Sequence, residues 1–87
     1  MQKVVIDTNI IISAALSQSG NPAKIINLIA DSEEMQVYYS ADILSEYKEV
    51  LSREHLKIAS DTQINIINVI KETGRVYYDT YSFFITV

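Results

Sequence analysis

Short β-branched runs alternate along the chain with longer stretches in which apolar residues recur at helical spacing. Val4-Val5-Ile6 is apolar on both faces, which predicts a central strand of a parallel sheet that is covered on each side. Aromatic and β-branched residues predict two further strands at 36–40 and 75–78. The apolar stretch 81–87 is predicted to be extended.

Helices are predicted between these strands. Residues 10–16 predict a short buried helix that Thr8 or Asn9 could cap. A second helix is predicted to begin at Asn21-Pro22, with Asn as the N-cap and Pro as the first helical residue, and to run to about Asp31.

The clearest amphipathic helix is predicted at 41–53. Its apolar stripe falls at i, i+1, i+4, i+7 and i+8, at Ile43, Leu44, Tyr47, Val50 and Leu51. A fourth helix is predicted to begin at Ser60-Asp61-Thr62-Gln63, which has the form of a capping box. Gly74 is predicted to close it as the C′ residue. Its apolar residues are Ile64, Ile67 and Ile70.

The element order is therefore β-α-α-β-α-α-β followed by an extended tail. Strands that alternate with helices predict an open parallel α/β sheet. With 87 residues, the chain is expected to form a single small domain over 1–87. In such sheets ligands bind beyond the carboxyl ends of the strands, so the functional residues are expected there.

Composition narrows the class of protein. An apolar fraction of 48% excludes a disordered chain. The lack of Cys excludes disulfides and thiolate metal sites and is compatible with the cytoplasm. The net charge of −4 is unlike that of a duplex-binding module, which is normally basic. Neither a signal peptide nor a membrane span is predicted.

Asp7 lies where the first strand passes into the first helix. A carboxylate there faces the crevice at the sheet edge, and the neighbouring helix N-terminus favours its negative charge. This position predicts a metal ligand, although capping of the helix is an equally good explanation of Asp7 alone.

Glu46 supports the metal-site interpretation. It lies three residues after Ile43 and four before Val50, so it borders the apolar stripe. Its helix directly follows the second strand, which places it at the same edge of the sheet as Asp7. Asp42 is also near, but its place at the helix start is explained by a capping role.

These oxygen ligands indicate a hard cation. Two carboxylates with the nearby Thr8 hydroxyl and Asn9 amide match Mg²⁺ or Mn²⁺, whereas zinc would prefer His or Cys. The one His, His55, is better explained as part of a solvated loop. The tyrosine pairs at 38–39 and 77–78 could stack on bases, but core packing is the preferred interpretation.

The residues that follow the first strand do not match the motifs of other α/β enzymes. No Gly-rich loop follows the first strand, so a phosphate-binding loop or dinucleotide fingerprint is absent from the sequence. A phosphatase with an aspartyl nucleophile would need a second Asp two residues after Asp7, where this chain has Asn9.

The segment 4–14, Val-Val-Ile-Asp-Thr-Asn-Ile-Ile-Ile-Ser-Ala, resembles the opening of PIN domains, especially those of bacterial and archaeal toxins in toxin–antitoxin systems. Residues 40–51 resemble the second acidic segment of that family. The match covers about the first 75 residues in order and spacing.

The resemblance implies a Rossmann-like three-layer α/β/α sandwich with a parallel sheet. It implies a Mg²⁺- or Mn²⁺-dependent endoribonuclease of single-stranded RNA, often a homodimer and often paired with an antitoxin protein. By resemblance, Asp7 is the first acidic ligand and Glu46 the second. Thr8 and Asn9 match the polar positions that support the site.

The chain departs from the family after Val76. The family continues with a third acidic segment, whereas here Asp79 is the one candidate before an apolar tail, so the domain is expected to lack the usual C-terminal third. Weak metal binding is then expected unless Asp79 or a partner chain contributes. An open edge beside the first strand is also expected, which predicts a homo-oligomer in which the tail 83–87 could pair across subunits.

Two alternatives to an active ribonuclease stay open. The chain could be a non-catalytic PIN-like module that recognises an antitoxin or another partner chain. It could also be an unrelated small α/β ligand-binding domain, which the pairing of Asp7 with Glu46 disfavours.

Overall fold

A computed structural model describes residues 2–16, 24–78 and 84–87. Its elements are, in chain order, β1 (Gln2–Val5), α1 (Thr8–Ala15), α2 (Lys24–Ala30), β2 (Met35–Tyr39), α3 (Ala41–Leu51), α4 (Ser60–Thr73), β3 (Arg75–Val76) and β4 (Ile85–Thr86). The predicted order of strands and helices is confirmed. The predicted helix start at Asn21-Pro22 lies outside the described residues.

The four strands form one parallel sheet in the order β3-β2-β1-β4. Val4 of β1 pairs with Val37 of β2 on one side and with Ile85 of β4 on the other. Tyr38 of β2 pairs with Arg75 of β3. The parallel α/β fold and the central place of the first strand are confirmed, and all four carboxyl ends meet at one edge of the sheet.

The expectation of an open edge beside the first strand is wrong. β4 lies there, and the Val87 N–H donates to the Val5 carbonyl at 3.0 Å. The tail supplies this strand because its alternating pattern sets Val87 against the core while Thr86 faces away. The homo-oligomer stays a prediction, now without that edge as its reason.

The core lies between the sheet and the helices. α1 contacts α2, α3 and α4, and α4 also contacts α2 and α3, so the described helices form one layer. The fully buried side chains on both sides of this interface are Val4, Ile6, Val37, Ile11, Ile26, Leu51, Ile66 and Ile70. Apart from Tyr47, no polar or charged side chain within the described ranges is buried, so burial of apolar surface stabilises the interface.

Three aromatic rings pack on the sheet face opposite to the core. The Phe84 ring centroid is 4.4 Å from that of Tyr77 and 5.5 Å from that of Tyr38. The Lys3 ammonium lies 5.6 Å from the Tyr38 ring centroid. Strand alternation explains this arrangement, because Val4 and Val37 point to the helices while their neighbours point away.

Two predicted helix starts differ from the structure. Asp7 caps α1 in place of Thr8 or Asn9, which confirms the capping explanation of Asp7, because its extended backbone lets its carboxylate reach the Asn9 N–H. The capping box at Ser60 is also wrong. Ala59 is the N-cap of α4, and the Gln63 side-chain amide donates to the Ile58 carbonyl.

The apolar face of α4 is shifted relative to the predicted one. Ile66, Ile67 and Ile70 are buried, whereas Ile64 is 59% exposed. Gly74 does end the helix, but its φ of −90° is not left-handed. Glycine is needed there for space, because a Cβ would lie 2.7 Å from the Ile70 carbonyl oxygen and 3.0 Å from Tyr39. No described helix has the length and hydropathy that a membrane span requires.

Candidate active site

Asp7 is held at the carboxyl edge of the sheet by hydrogen bonds to α1 and to the residue that follows β4. Its N–H donates to the Val87 carbonyl at 2.6 Å, and its carbonyl accepts from Ile10 N at 3.0 Å in the first turn of α1. Its Oδ2 accepts from Asn9 N at 2.9 Å. The side chain is half-buried. Asp7 is therefore a helix cap, and a carboxylate with one oxygen in a cap has a second with which to meet a ligand.

Glu46 comes from the helix that follows the neighbouring strand. α3 begins directly after β2, where the Ser40 hydroxyl oxygen accepts from Ile43 N at 3.1 Å and caps it. Because β1 and β2 are parallel, this helix start lies at the same sheet edge as Asp7. Glu46 is exposed, and the next residue, Tyr47, is buried.

Tyr47 links the helix that carries Glu46 to the strand that precedes Asp7. Its hydroxyl donates to the Ile6 carbonyl at 2.5 Å, which ties α3 to the end of β1 immediately before Asp7. Burial raises the pKa of Tyr47, and the negative charges of Glu46 and Asp7 raise that pKa further, as does the nearby Tyr77. Both carboxylates therefore act on one hydroxyl, which stays protonated and keeps donating.

The polar role of Tyr47 is not predicted by the helical pattern. That pattern puts Tyr47 in the apolar stripe of α3, and the Tyr47 ring does lie in the core. The available signal was a hydroxyl-bearing aromatic residue directly after Glu46. A buried Tyr hydroxyl usually finds a hydrogen-bond partner, so a polar contact could be expected here although its partner could not be named.

The other predicted site residues contribute less to the described site. Thr8 begins α1 and is half-buried, while Asn9 is exposed and gives its backbone N–H to Asp7. Asp79 lies outside the described residues. His55 is exposed in the short 3-10 turn Glu54–Leu56, as expected for a solvated loop.

The donor chemistry fits a hard divalent cation. In the described part of the chain there is no group of three or more acidic, His or Cys side chains that could hold a metal ion. Mg²⁺ keeps several waters and is commonly bound by one or two carboxylates together with substrate phosphates. Asp7 and Glu46 could supply two such carboxylates, and no nitrogen or sulfur ligand competes at this edge among the residues described.

A parallel sheet with an Asp at its carboxyl edge is typical of α/β domains that bind a ligand at that edge. The chain belongs to the PIN domain family, since the family model for the PIN domain matches residues 3–80. PIN domains are generally nucleases and generally use divalent metal ions. Comparisons with curated proteins and with solved structures gave no match.

We expect Tyr47→Phe to lower the free energy of unfolding by about 1 kcal/mol, because the Ile6 carbonyl loses its donor. Urea denaturation followed by circular dichroism measures the change. Tyr39→Phe is the matched control, since the Tyr39 ring packs against the same core. Equal stability of Tyr47→Phe and the wild type would show that this hydrogen bond contributes nothing.

Proposed function

We propose that this chain is a metal-dependent endoribonuclease that cuts single-stranded RNA and acts as the toxin of a toxin–antitoxin pair. One observation carries the proposal: Tyr47, the residue after Glu46, donates its hydroxyl to the carbonyl of Ile6, the residue before Asp7, and so holds the two carboxylate-bearing segments together. Asp7 at the carboxyl edge of a parallel sheet, with Glu46 on the helix that begins at that edge, matches the place where such folds bind ligands. Membership of a family that is generally nucleolytic supports the same conclusion.

In this proposal Asp7 and Glu46 bind Mg²⁺ or Mn²⁺, with Asp79 as the third acidic position. When bound, the ion supplies an activated water and neutralises charge on the phosphodiester. Asp7 is oriented for this task by its backbone bonds to Val87 and α1. Tyr47 is a positioning residue, because it fixes the carbonyl that precedes Asp7. Thr8 and Asn9 support the first turn of α1, on which the Asp7 cap depends.

The charge of the protein is consistent with recognition through a cation. A net charge of −4 repels a polyphosphate backbone, so a site that works without a metal would be a poor phosphate binder. Binding through a metal ion reverses that sign locally. Binding of the scissile phosphodiester at the carboxylates, and hence its cleavage, is therefore expected to depend on the divalent ion.

We expect the protein to cleave a single-stranded RNA oligonucleotide in Mg²⁺ or Mn²⁺, and we expect EDTA to abolish the cleavage. Excess metal should restore it, since in the described part of the chain every buried side-chain polar atom already has a hydrogen-bond partner and the fold needs no metal. Gel analysis of labelled products, with the same strand in a duplex as the control, measures both effects. Cleavage that persists in EDTA would contradict the metal dependence.

The non-catalytic alternative has one observation in its favour, namely the absence of a three-residue metal cluster among the described residues. In that case the fold would serve to bind an antitoxin or to form a homo-oligomer. Titration with Mn²⁺ in a calorimeter separates the two proposals, because only the nuclease should bind the ion. Sedimentation gives the mass of the assembly in the same buffer, and a single-chain mass at high concentration would count against the homo-oligomer.

A further inference from the structure

An open cleft of about 450 Å³ lies at the carboxyl edge of the sheet, next to the candidate active site. It is lined by Ser40, Ala41, Asp42, Ile43, Tyr77 and Tyr78. The first four begin α3, and the last two follow β3. The cleft therefore begins on α3, the helix that carries Glu46, at the same sheet edge as Asp7. Its volume is within the usual range for small-ligand sites.

The four tyrosines of the two pairs have different surroundings. Tyr39 packs against the core, and Tyr38 and Tyr77 pack with Phe84. Tyr78, in contrast, is 89% exposed. Core packing was the preferred interpretation of both pairs, and it is confirmed for Tyr39. It is wrong for Tyr38 and Tyr77, which pack on the opposite face of the sheet, and for Tyr78. For Tyr78 the reason is that β3 ends at Val76, so Tyr78 lies beyond the sheet.

The chemistry of the cleft favours a base over a phosphate. The charged residue among its lining side chains is Asp42, in the first turn of α3, and its negative charge repels phosphate. Asp42 also offsets the positive end of the α3 dipole, which would otherwise attract an anion. An aromatic ring beside the half-buried Ile43 offers a flat apolar surface instead.

We propose that this cleft binds one unpaired nucleobase of single-stranded RNA, stacked on the ring of Tyr78. The proposal rests on the proposed function, because it takes RNA as the substrate. Every base has a π-face, so such a subsite accepts any sequence but requires an unpaired base. The subsite would hold the strand beside the carboxylates and would select single-stranded over duplex RNA.

The test is fluorescence anisotropy of a labelled oligouridine RNA in EDTA, which blocks cleavage. Loss of one stacked base should weaken binding roughly tenfold in Tyr78→Ala, and Tyr78→Phe should bind like the wild type. Ile64→Ala is the matched control, since Ile64 is also an exposed apolar side chain but lies on α4. Circular dichroism checks that Tyr78→Ala folds, which is expected from its exposure.

A second probe isolates the base. An abasic RNA of the same length should bind the wild type more weakly than oligouridine does. It should bind Tyr78→Ala as strongly as it binds the wild type. Equal binding of oligouridine to the wild type and to Tyr78→Ala would overturn the proposal. So would no binding at all to the wild type.

The outcomes also separate this proposal from the proposed function. Cleavage that requires Asp7, together with RNA binding that ignores Tyr78, would remove the base subsite and leave the nuclease. Binding that requires Tyr78, with no cleavage in Mg²⁺ or Mn²⁺, would leave the subsite on a non-catalytic RNA-binding domain.

Discussion

Replacement of Asp7 by Asn is expected to reduce RNA cleavage more than roughly 100-fold while the protein stays folded. Loss of a residue that only orients a metal ligand typically costs about 10–100-fold, and Asp7 is proposed as a direct ligand. The fold should survive because Asn caps helices as well as Asp does. The substituted amide can therefore still accept a hydrogen bond from Asn9 N at the start of α1. The rate of cleavage in Mg²⁺ and the midpoint of urea denaturation measure the two effects.

This substitution decides between the two explanations of Asp7. If Asp7 were only a helix cap, Asp7→Asn would keep full activity, and the metal-site assignment would be wrong. Asp7→Ala removes cap and charge together and should also lose about 1 kcal/mol of stability. Asp31→Asn is the matched control, because Asp31 is an exposed carboxylate in the turn before β2, at the opposite edge of the sheet.

Glu46→Gln should show the same separation of activity from stability. Glu46 is exposed, so its charge is not needed for packing, and any loss of cleavage would report on the site. Glu33→Gln is the matched control, since Glu33 is exposed in the turn between α2 and β2.

The sequence predicts the order of elements well because each strand has a local signature. Val4-Val5-Ile6 is apolar on both faces, and β1 is one of the two strands with a partner on each side. The tail could not be placed in the same way. Its apolar pattern predicts an extended segment, but whether that segment pairs with β1 or with another chain depends on contacts far apart in sequence.

The site is predictable only as far as position along an element determines it. Asp7 follows a strand and Glu46 borders a helical stripe, and both facts are visible in the sequence. The partner of the Tyr47 hydroxyl is not, because Ile6 is 41 residues away. The exposure of Tyr78 depends on where β3 ends, and strand ends are the least predictable part of an element.

The sequence pattern predicts the wrong buried face for α4. The observed face leads to a large expected effect on stability. Ile66→Ala is expected to lower the free energy of unfolding by about 2–5 kcal/mol, because Ile66 is fully buried and the substitution leaves a cavity. Small domains are stable by only about 5–15 kcal/mol, so this is a large share of the total. The midpoint of urea denaturation should fall while its slope stays unchanged.

Ile64→Ala is the matched control on the same helix. The predicted apolar face contained Ile64, Ile67 and Ile70, which would make Ile64→Ala a damaging substitution. In the structure Ile64 is 59% exposed, so the same change should alter stability by less than about 0.5 kcal/mol. Alanine also has the higher helix propensity, which acts in the stabilising direction. If Ile64→Ala proved as damaging as Ile66→Ala, α4 would bury a different face from the one described here, and the packing between α3 and α4 would be wrong.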